Sequence, residues 1–576
     1  MADVDPKLQS NRVKDLGGTV RPSRKIELAI IVAVFLILTT FALVCSHAGH
    51  PFQIFALLYL VSGQWSLTAG QWALAVAVLV VLAVACGVGA WLIASKAVPW
   101  ATGAKARTRV DVYAPAMGHG EAVEKVTRQR AEAMASRLIE ADRYRKGMSP
   151  GYPLGLNIVD NTSMYTSWED MAIVLAGPRS GKSLCYAIPA VLSAPGPCLA
   201  TSNKGDILDV TAPIRRLDHP NGRIWTFDPE RIADPNRKSA PWVWDLIASV
   251  QSIADAKRIA DCWRYASGQP QTGGDDFFPG TAAQQLADYL FAAHLGGRSV
   301  SDVFRWCSNE RDTSPADILS EYPRYAGIAS RVSSVIALTP ETRSGVFGSL
   351  QTMVAFLADP EIIDWIDPHR DTNGNIDERR GLFDPYEFAT SEDTLYLLSA
   401  QGRPSTALTA SLTAVVAFTA FQRAQSEFTD NNRRLPVPLC CVLDEAANIC
   451  RWPELADVYS YFGSAGIPIM TIWQNPDQGR AAFGETNFGS LFNNANITVY
   501  LGGIKDAKFL GEISQLVGQR EIVRGSVNID GTGRRSVNNS IQKENILDVS
   551  DLTEWPVGRA LLLASQSRAQ IVKTLP

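Results

Sequence analysis

The chain has 576 residues, 46% of them hydrophobic, and a formal net charge of −4. That composition supports several globular domains and excludes a disordered chain; the charge excludes a bulk polycation, so any contact with DNA or RNA needs a local basic surface. Nine cysteines without a C-x-x-C pair and six histidines without ligand spacing read as buried thiols and ordinary imidazoles, not a metal site.

Two apolar runs come first in chain order. "IELAIIVAVFLILTTFALVCS", from Ile26, and "QWALAVAVLVVLAVACGVGAWLIAS", from Gln71, each reach the ~20 residues a spanning helix needs. A cleaved signal peptide is the alternative for the first, but its polar leader is long and a second span follows. Arg21, Arg24 and Lys25 precede the first run and Lys96, Lys105, Arg107 and Arg109 follow the second, with no Lys or Arg between them. The positive-inside rule then puts both ends in the cytoplasm. Glu27 stands at the headgroup edge of the first span. The expected layout is a cytoplasmic tail over 1–25, two spans and a short external loop over 26–95, and a cytoplasmic stem over 96–168. Within the stem, "EAVEKVTRQRAEAMASRLIEADRYRK" has helical spacing on a charged background and predicts a solvated helix over 121–146.

From residue 170 short apolar runs bounded by turn signals replace that texture: "MAIVLAG", "PCLATS", "RIWTFDP" and, much later, "DTLYLLSA", "PLCCVLDEA", "IPIMTIWQ", "NITVYLGG" and "RALLLAS". With helical stretches between them they predict buried parallel strands of an α/β layer. Between them lie helix-period segments such as "QSIADAKRIADCWRYAS" and "TAAQQLADYLFAAHL", which predict an all-α insertion. The domains are expected at 169–244 and 371–576 for the two parts of a nucleotide-binding fold, and at 245–370 for the insertion. The turn-rich "HRDTNGNIDERRG", from His369, returns the chain to the α/β core.

"LAGPRSGKS" closes the first of these strands and opens a helix. Strand, glycine-bearing turn and helix are the order of a phosphate-binding loop, here Ala176, Gly177, Pro178, Arg179, Ser180, Gly181, Lys182 and Ser183. Loop amides cradle phosphates, Lys182 reaches the β/γ oxygens and the Ser183 hydroxyl holds Mg2+. Ala176 stands where glycine is usual, the smallest departure available. A plain strand–helix turn is the alternative for the loop alone. "LCCVLDEAANI" ends an apolar strand in Asp444 and Glu445, one acid for the Mg2+ shell and one to orient or deprotonate water. A capping pair opening the next helix is its alternative. Gln474 ends "IPIMTIWQ", either as a sensor of the γ-phosphate or water, or as a polar strand end.

Together "GPRSGKSLCYAIPAVL", "TSNKGDIL", "RIWTFDP", "FFPGTAAQQLADYL", "VLDEAANI" and "IPIMTIWQNPDQGRAAFG" resemble the type IV secretion coupling proteins of the VirD4/TraG group, over nearly the whole chain. The resemblance implies an α/β, RecA-like P-loop NTPase domain with an inserted all-α domain and two N-terminal transmembrane helices. It implies a P-loop ATPase using ATP and Mg2+, assembled as a homo-hexamer on the bacterial inner membrane. Its implied partners are a relaxase–single-stranded DNA complex and components of the type IV secretion channel. By position it makes Lys182 and Ser183 phosphate and Mg2+ ligands, Asp444 and Glu445 the Mg2+ and catalytic acids, and Gln474 the later motif glutamine. Related builds export proteins or pump double-stranded DNA, and a nucleotide-switched receptor without motor activity is a further alternative.

Two departures stand out. "YFGSAGIP", before the glutamine strand, lacks the arginine that many members carry there, and Arg403, Arg451 and Arg480 are the substitutes on offer. "TSNKGD" lacks the first acid of the D-x-K-G-E form but keeps Lys204 and Asp206. For nucleic acid, "GQREIVRGSVNIDGTGRRSVNNSIQK" reads as a basic hairpin-like excursion with Arg520, Arg524, Arg534, Arg535 and Lys543, or as a solvated loop.

Overall fold

The computed structural model describes residues 38–40, 42–49, 51, 53–74, 76–78, 108–145, 147–269, 277–368, 380–529 and 535–575. The chain divides into two compact units, Met1–Arg107 and Thr108–Pro576. In the first, apolar helical stretches cover Leu38–His47 and Ala69–Val78. The predicted tail over 1–25, the start of the first span and the end of the second lie outside the described residues. Among the described residues one helix, Ser405–Glu427, is long and apolar enough to cross a membrane, and it is mostly buried within the second unit.

The second unit is built on an eleven-stranded sheet. Its strands are β1 (Pro153–Asn157), β2 (Ser163–Tyr165), β3 (Ala172–Leu175), β4 (Cys198–Ser202) and β5 (Ile224–Phe227). After a separate two-stranded ribbon, β6 (Trp242–Trp244) with β7 (Gly381–Phe383), come β8 (Thr394–Leu398), β9 (Cys440–Leu443), β10 (Ile469–Trp473) and β11 (Ile497–Tyr500). A hairpin of β12 (Gln519–Ile529) and β13 (Arg535–Asn545) precedes β14 (Arg559–Ala564) and β15 (Gln570–Lys573). The order is β2-β1-β15-β14-β11-β3-β10-β9-β4-β8-β5. From β11 to β5 every neighbour is parallel.

The near-continuous apolar runs follow from that placement, because a strand covered on both faces needs apolar residues at every position. In β3, Ile173 and Leu175 join one core while Ala172 and Val174 join the other. β9 divides likewise, with Cys441 and Leu443 on one side and Cys440 and Val442 on the other. "RALLLAS" forms a strand as expected, but β14 runs antiparallel to β11. It is joined by β15, β1 and β2, antiparallel strands too short or too rich in Pro and Gly to read as apolar runs.

The stem differs from its expectation. A 3-10 turn over Gly120–Val126 gives way at Thr127, whose hydroxyl caps the helix Arg128–Leu138 by accepting from Arg130 N at 3.3 Å. Val123, Val126, Ala131, Ala135 and Leu138 are buried, so this segment packs on the body and is not a solvated connector.

Among the described residues seven α-helices lie between Ile253 and Ile366, and the β6–β7 ribbon stands where the chain enters and leaves them. Aromatic edges bind them to the sheet: the Trp365 ring lies 5.1 Å from both Phe227 and Trp242. Residues 369–379, the predicted return turn, lie outside the described residues.

One buried pair sets a pH limit. The Arg215 guanidinium lies 2.6 Å from His219 Nε2, and burial, then that neighbouring charge, push the His219 pKa down to about 4. The unfolded chain therefore binds a proton that the folded chain refuses between about pH 6.5 and 4, and stability decreases as pH is lowered across that window. We expect a slope approaching about 1.4 kcal/mol per pH unit in urea unfolding, and a flatter curve for His219→Asn.

Candidate nucleotide site

β3, β9 and β10 are central neighbours, and their carboxyl ends bring the predicted residues together. β3 runs into the loop, where Arg179 and Gly181 both take left-handed backbone, φ 62° and 85°. This is the curl that a phosphate-cradling turn uses. The helix Ser183–Ser193 follows.

Ala176 proves a natural tenant of its position. It is buried, its backbone is not left-handed, and its N–H donates to Trp473 O at 2.9 Å, so it continues the strand. The demanding position is Gly177. Its N–H bonds Gly502 O at 2.9 Å, and a Cβ there would sit 2.4 Å from the carbonyl oxygen of Gly503. Gly177→Ala is expected to destabilise by about 1–3 kcal/mol and to weaken nucleotide binding, whereas Ala176→Gly leaves binding near wild type. Chemical denaturation and a fluorescent-nucleotide titration measure both.

The polar groups converge. Lys182 Nζ lies 2.9 Å from Asp444 Oδ1 and also bonds Glu445 Oε1. Ser183 Oγ donates to Asp444 Oδ2 at 3.2 Å. Gln474 Nε2 donates to both Glu445 oxygens, at 2.7 and 2.9 Å. Two supports escaped the sequence reading: Asn448 Nδ2 donates to Glu445 Oε2 at 2.8 Å, and Thr201 Oγ1 to the Asp444 carbonyl at 2.8 Å. Glu445 itself has φ 55°, a left-handed backbone that costs a non-glycine residue about 1–2 kcal/mol. The Asn448 and Gln474 bonds hold its carboxylate against that strain.

The two acids differ in charge preference. Burial raises the Asp444 pKa, and Lys182 offsets only part of it. Burial acts on Glu445 in the same direction, but bonds from Lys182, Gln474 and Asn448 outweigh it and hold that carboxyl below its ordinary value. Lys182 is held above its own ordinary value because the two acids outweigh its burial.

Of the three substitute arginines, two are engaged inside the subunit. Arg451 bonds Ala447 O at 3.2 Å and Tyr265 O at 3.4 Å, and Arg480 is paired with Asp477 and Asp506 at 2.9 and 3.0 Å. Arg403 is exposed on the loop after β8. The basic hairpin is present as β12–β13: Arg520 stands opposite Glu544 and Lys543 opposite Glu521, while Arg524 and Arg535 are register partners of Ser540 and Ile529; Arg534 lies outside the described residues.

Residues 438–557, from β9 through the hairpin, match the family model for the TraM recognition site of TraD and TraG. The match covers that stretch alone, and the fold around it is also found in solved conjugative coupling proteins. An unbound bacterial conjugative coupling protein, TrwBdeltaN70, aligns with a TM-score of 0.52 at 15% identity, over 80% of this chain and 95% of its own. TrwB in complex with ADP and Mg2+ aligns with a TM-score of 0.50 at 15% identity, over 80% and 96%. TrwB with a non-hydrolysable GTP analogue gives 0.50 at 14%, over the same shares. These likenesses are of fold alone: a largely parallel α/β sheet with a helical domain. No curated protein sequence matches the chain.

Proposed function

We propose that the chain is a membrane-anchored P-loop ATPase that brings a relaxase-bound single DNA strand to a type IV secretion channel in bacterial conjugation. The observation that carries the ATPase is the convergence of Lys182, Ser183, Asp444, Glu445 and Gln474 at the carboxyl ends of three adjacent strands. The donor set fits Mg2+ with a nucleotide: a hydroxyl and a carboxylate already 3.2 Å apart, a lysine and a curled glycine loop. Ser183 and Asp444 would hold the ion, which when bound would neutralise charge on the phosphate oxygens. Lys182 takes the β/γ oxygens, and the loop from Ala176 to Ser183 cradles the phosphates. Glu445, ionised at neutral pH, orients and deprotonates the attacking water. Gln474, already on that carboxylate, couples the state of the site to β10.

The fold shared with TrwB, and the recognition region at 438–557, support the conjugative role and docking to the TraM type of relaxosome partner. The two N-terminal apolar runs support anchoring in the inner membrane with both termini cytoplasmic, the helices between 245 and 370 a separate domain, and the RecA-like build a homo-hexameric ring. A mating assay tests the reading. The wild-type gene restores DNA transfer to a donor lacking it and Lys182→Ala does not; undiminished transfer by that variant refutes the motor.

A further inference from the structure

The loops that leave β4 and β8 lie side by side at the carboxyl edge of the sheet, the edge at which α/β folds bind ligands. Ser202 and Leu398 are register partners, and Ser399 N donates to Ser202 O at 3.2 Å. One loop carries Asn203 and Lys204, the other Ser399, Ala400, Gln401, Gly402 and Arg403. Lys204 and Arg403 are exposed, and neither side chain has a hydrogen-bond or ion-pair partner among the described residues. Acids nearby are Asp206, exposed beside Lys204 and accepting from Ile207 N at 2.9 Å, the exposed Asp209, whose carboxylate lies against Gly205, and Glu230. Glu230 is engaged in shaping the second loop, where it accepts from Ala400 N at 3.0 Å and from Ser405 N and Oγ at 3.3 and 2.6 Å.

These cations stand apart from the phosphate loop of their own subunit. β4 is three strands and β8 four strands from β3, roughly 14 and 19 Å at about 4.8 Å per strand. Yet they are tied to the site's acids. Thr201, one residue before the end of β4, bonds the Asp444 carbonyl at 2.8 Å, and the β8 loop hangs on Ser202 next to it. Asp444 and both loops are thus joined by hydrogen bonds.

We propose that Lys204 and Arg403 grip backbone phosphates of a single-stranded nucleic acid, on loops whose position follows the nucleotide site through Thr201. The inference rests on the reading that this chain moves DNA. Two cations among Asn203, Ser399, Gln401 and Gly402, small or uncharged groups, suit contact with a polyanion without base readout. The same pair would act on neighbouring strands β4 and β8, so one relay serves both.

The test titrates full-length protein in detergent against a fluorescein-labelled oligothymidylate, by anisotropy across a range of salt. For the double variant Lys204→Ala/Arg403→Ala, affinity falls at least about tenfold near physiological salt. The slope of log affinity against log salt shrinks by about 1.4, two phosphate contacts at about 0.7 each. Either single variant removes about half of that slope, and the charge-preserving pair Lys204→Arg/Arg403→Lys restores it, which a merely structural role does not predict. Unchanged affinity and slope in the double variant overturn the proposal, as does wild-type protein that fails to bind the oligonucleotide. So does Arg403→Ala that loses DNA-free ATP turnover while keeping its grip, since Arg403 then serves a neighbouring subunit's nucleotide. Failure of the motor reading shows elsewhere, as undiminished transfer by Lys182→Ala.

Discussion

Lys182→Ala is expected to lower ATP turnover by at least about a hundredfold, the range seen when one preorganised donor to developing charge is removed, about 2.7–4 kcal/mol. The structure adds a second consequence. Lys182 is the counter-charge of Asp444 and Glu445, whose side chains are only 3% and 4% exposed. Taking one partner from such a buried group leaves uncompensated charge, at a cost of about 3–5 kcal/mol. Without the lysine Asp444, already raised by burial, rises further, and Glu445 keeps only the Gln474 and Asn448 bonds against its burial. A raised carboxyl contributes stability below its unfolded pKa and loses it as pH rises through the folded one. The variant's deficit against wild type should therefore shrink on acidification from pH 8 to 5.5. Phosphate release and thermal unfolding at the two pH values check both effects, and a deficit that grows on acidification contradicts this account of the charges.

Much of this site was legible because phosphate chemistry forces neighbouring residues into short motifs. Lys182 and Ser183 sit in one loop and Asp444 and Glu445 in one strand end, so each pair is read locally. Thr201 and Asn448 could not be found that way, since a threonine closing an apolar strand and an asparagine in a four-residue helix carry no signal until the fold aims them. Gly177 is similar: the motif does not mark it, and only its close approach to Gly503 makes it the constrained position. At the level of the fold, β3, β4, β9 and β10 were visible because burial on both faces demands unbroken apolar runs. β1, β2 and β15 were not, because antiparallel strands at the sheet's margin tolerate Pro153, Gly155 and Gln570. The stem helix was overextended because its charged background hid five inward positions and the cap at Thr127. The hairpin was seen, and register, which sequence does not show, adds that Glu544 and Glu521 stand opposite Arg520 and Lys543.

Glu445→Gln should separate binding from hydrolysis. Lys182, Ser183 and Asp444 all remain, so Mg2+-nucleotide affinity stays within a few-fold of wild type. Turnover falls by about 10²–10⁴, the usual contribution of a positioned general base. The loss is not only that of a base. Gln474 donates to both oxygens of Glu445 and Asn448 to one of them, and an amide offers a single oxygen to these donors. The replacement therefore also loosens Gln474, the link from the reacting centre to β10. Fluorescent-nucleotide titration and phosphate release separate the two quantities. The same variant then decides what hydrolysis is for. If turnover drives the strand, DNA transfer in a mating assay falls in proportion to the loss of hydrolysis. Transfer that persists in a Glu445→Gln protein proven unable to hydrolyse ATP means that occupancy of the site alone suffices, and the chain is a nucleotide-switched receptor.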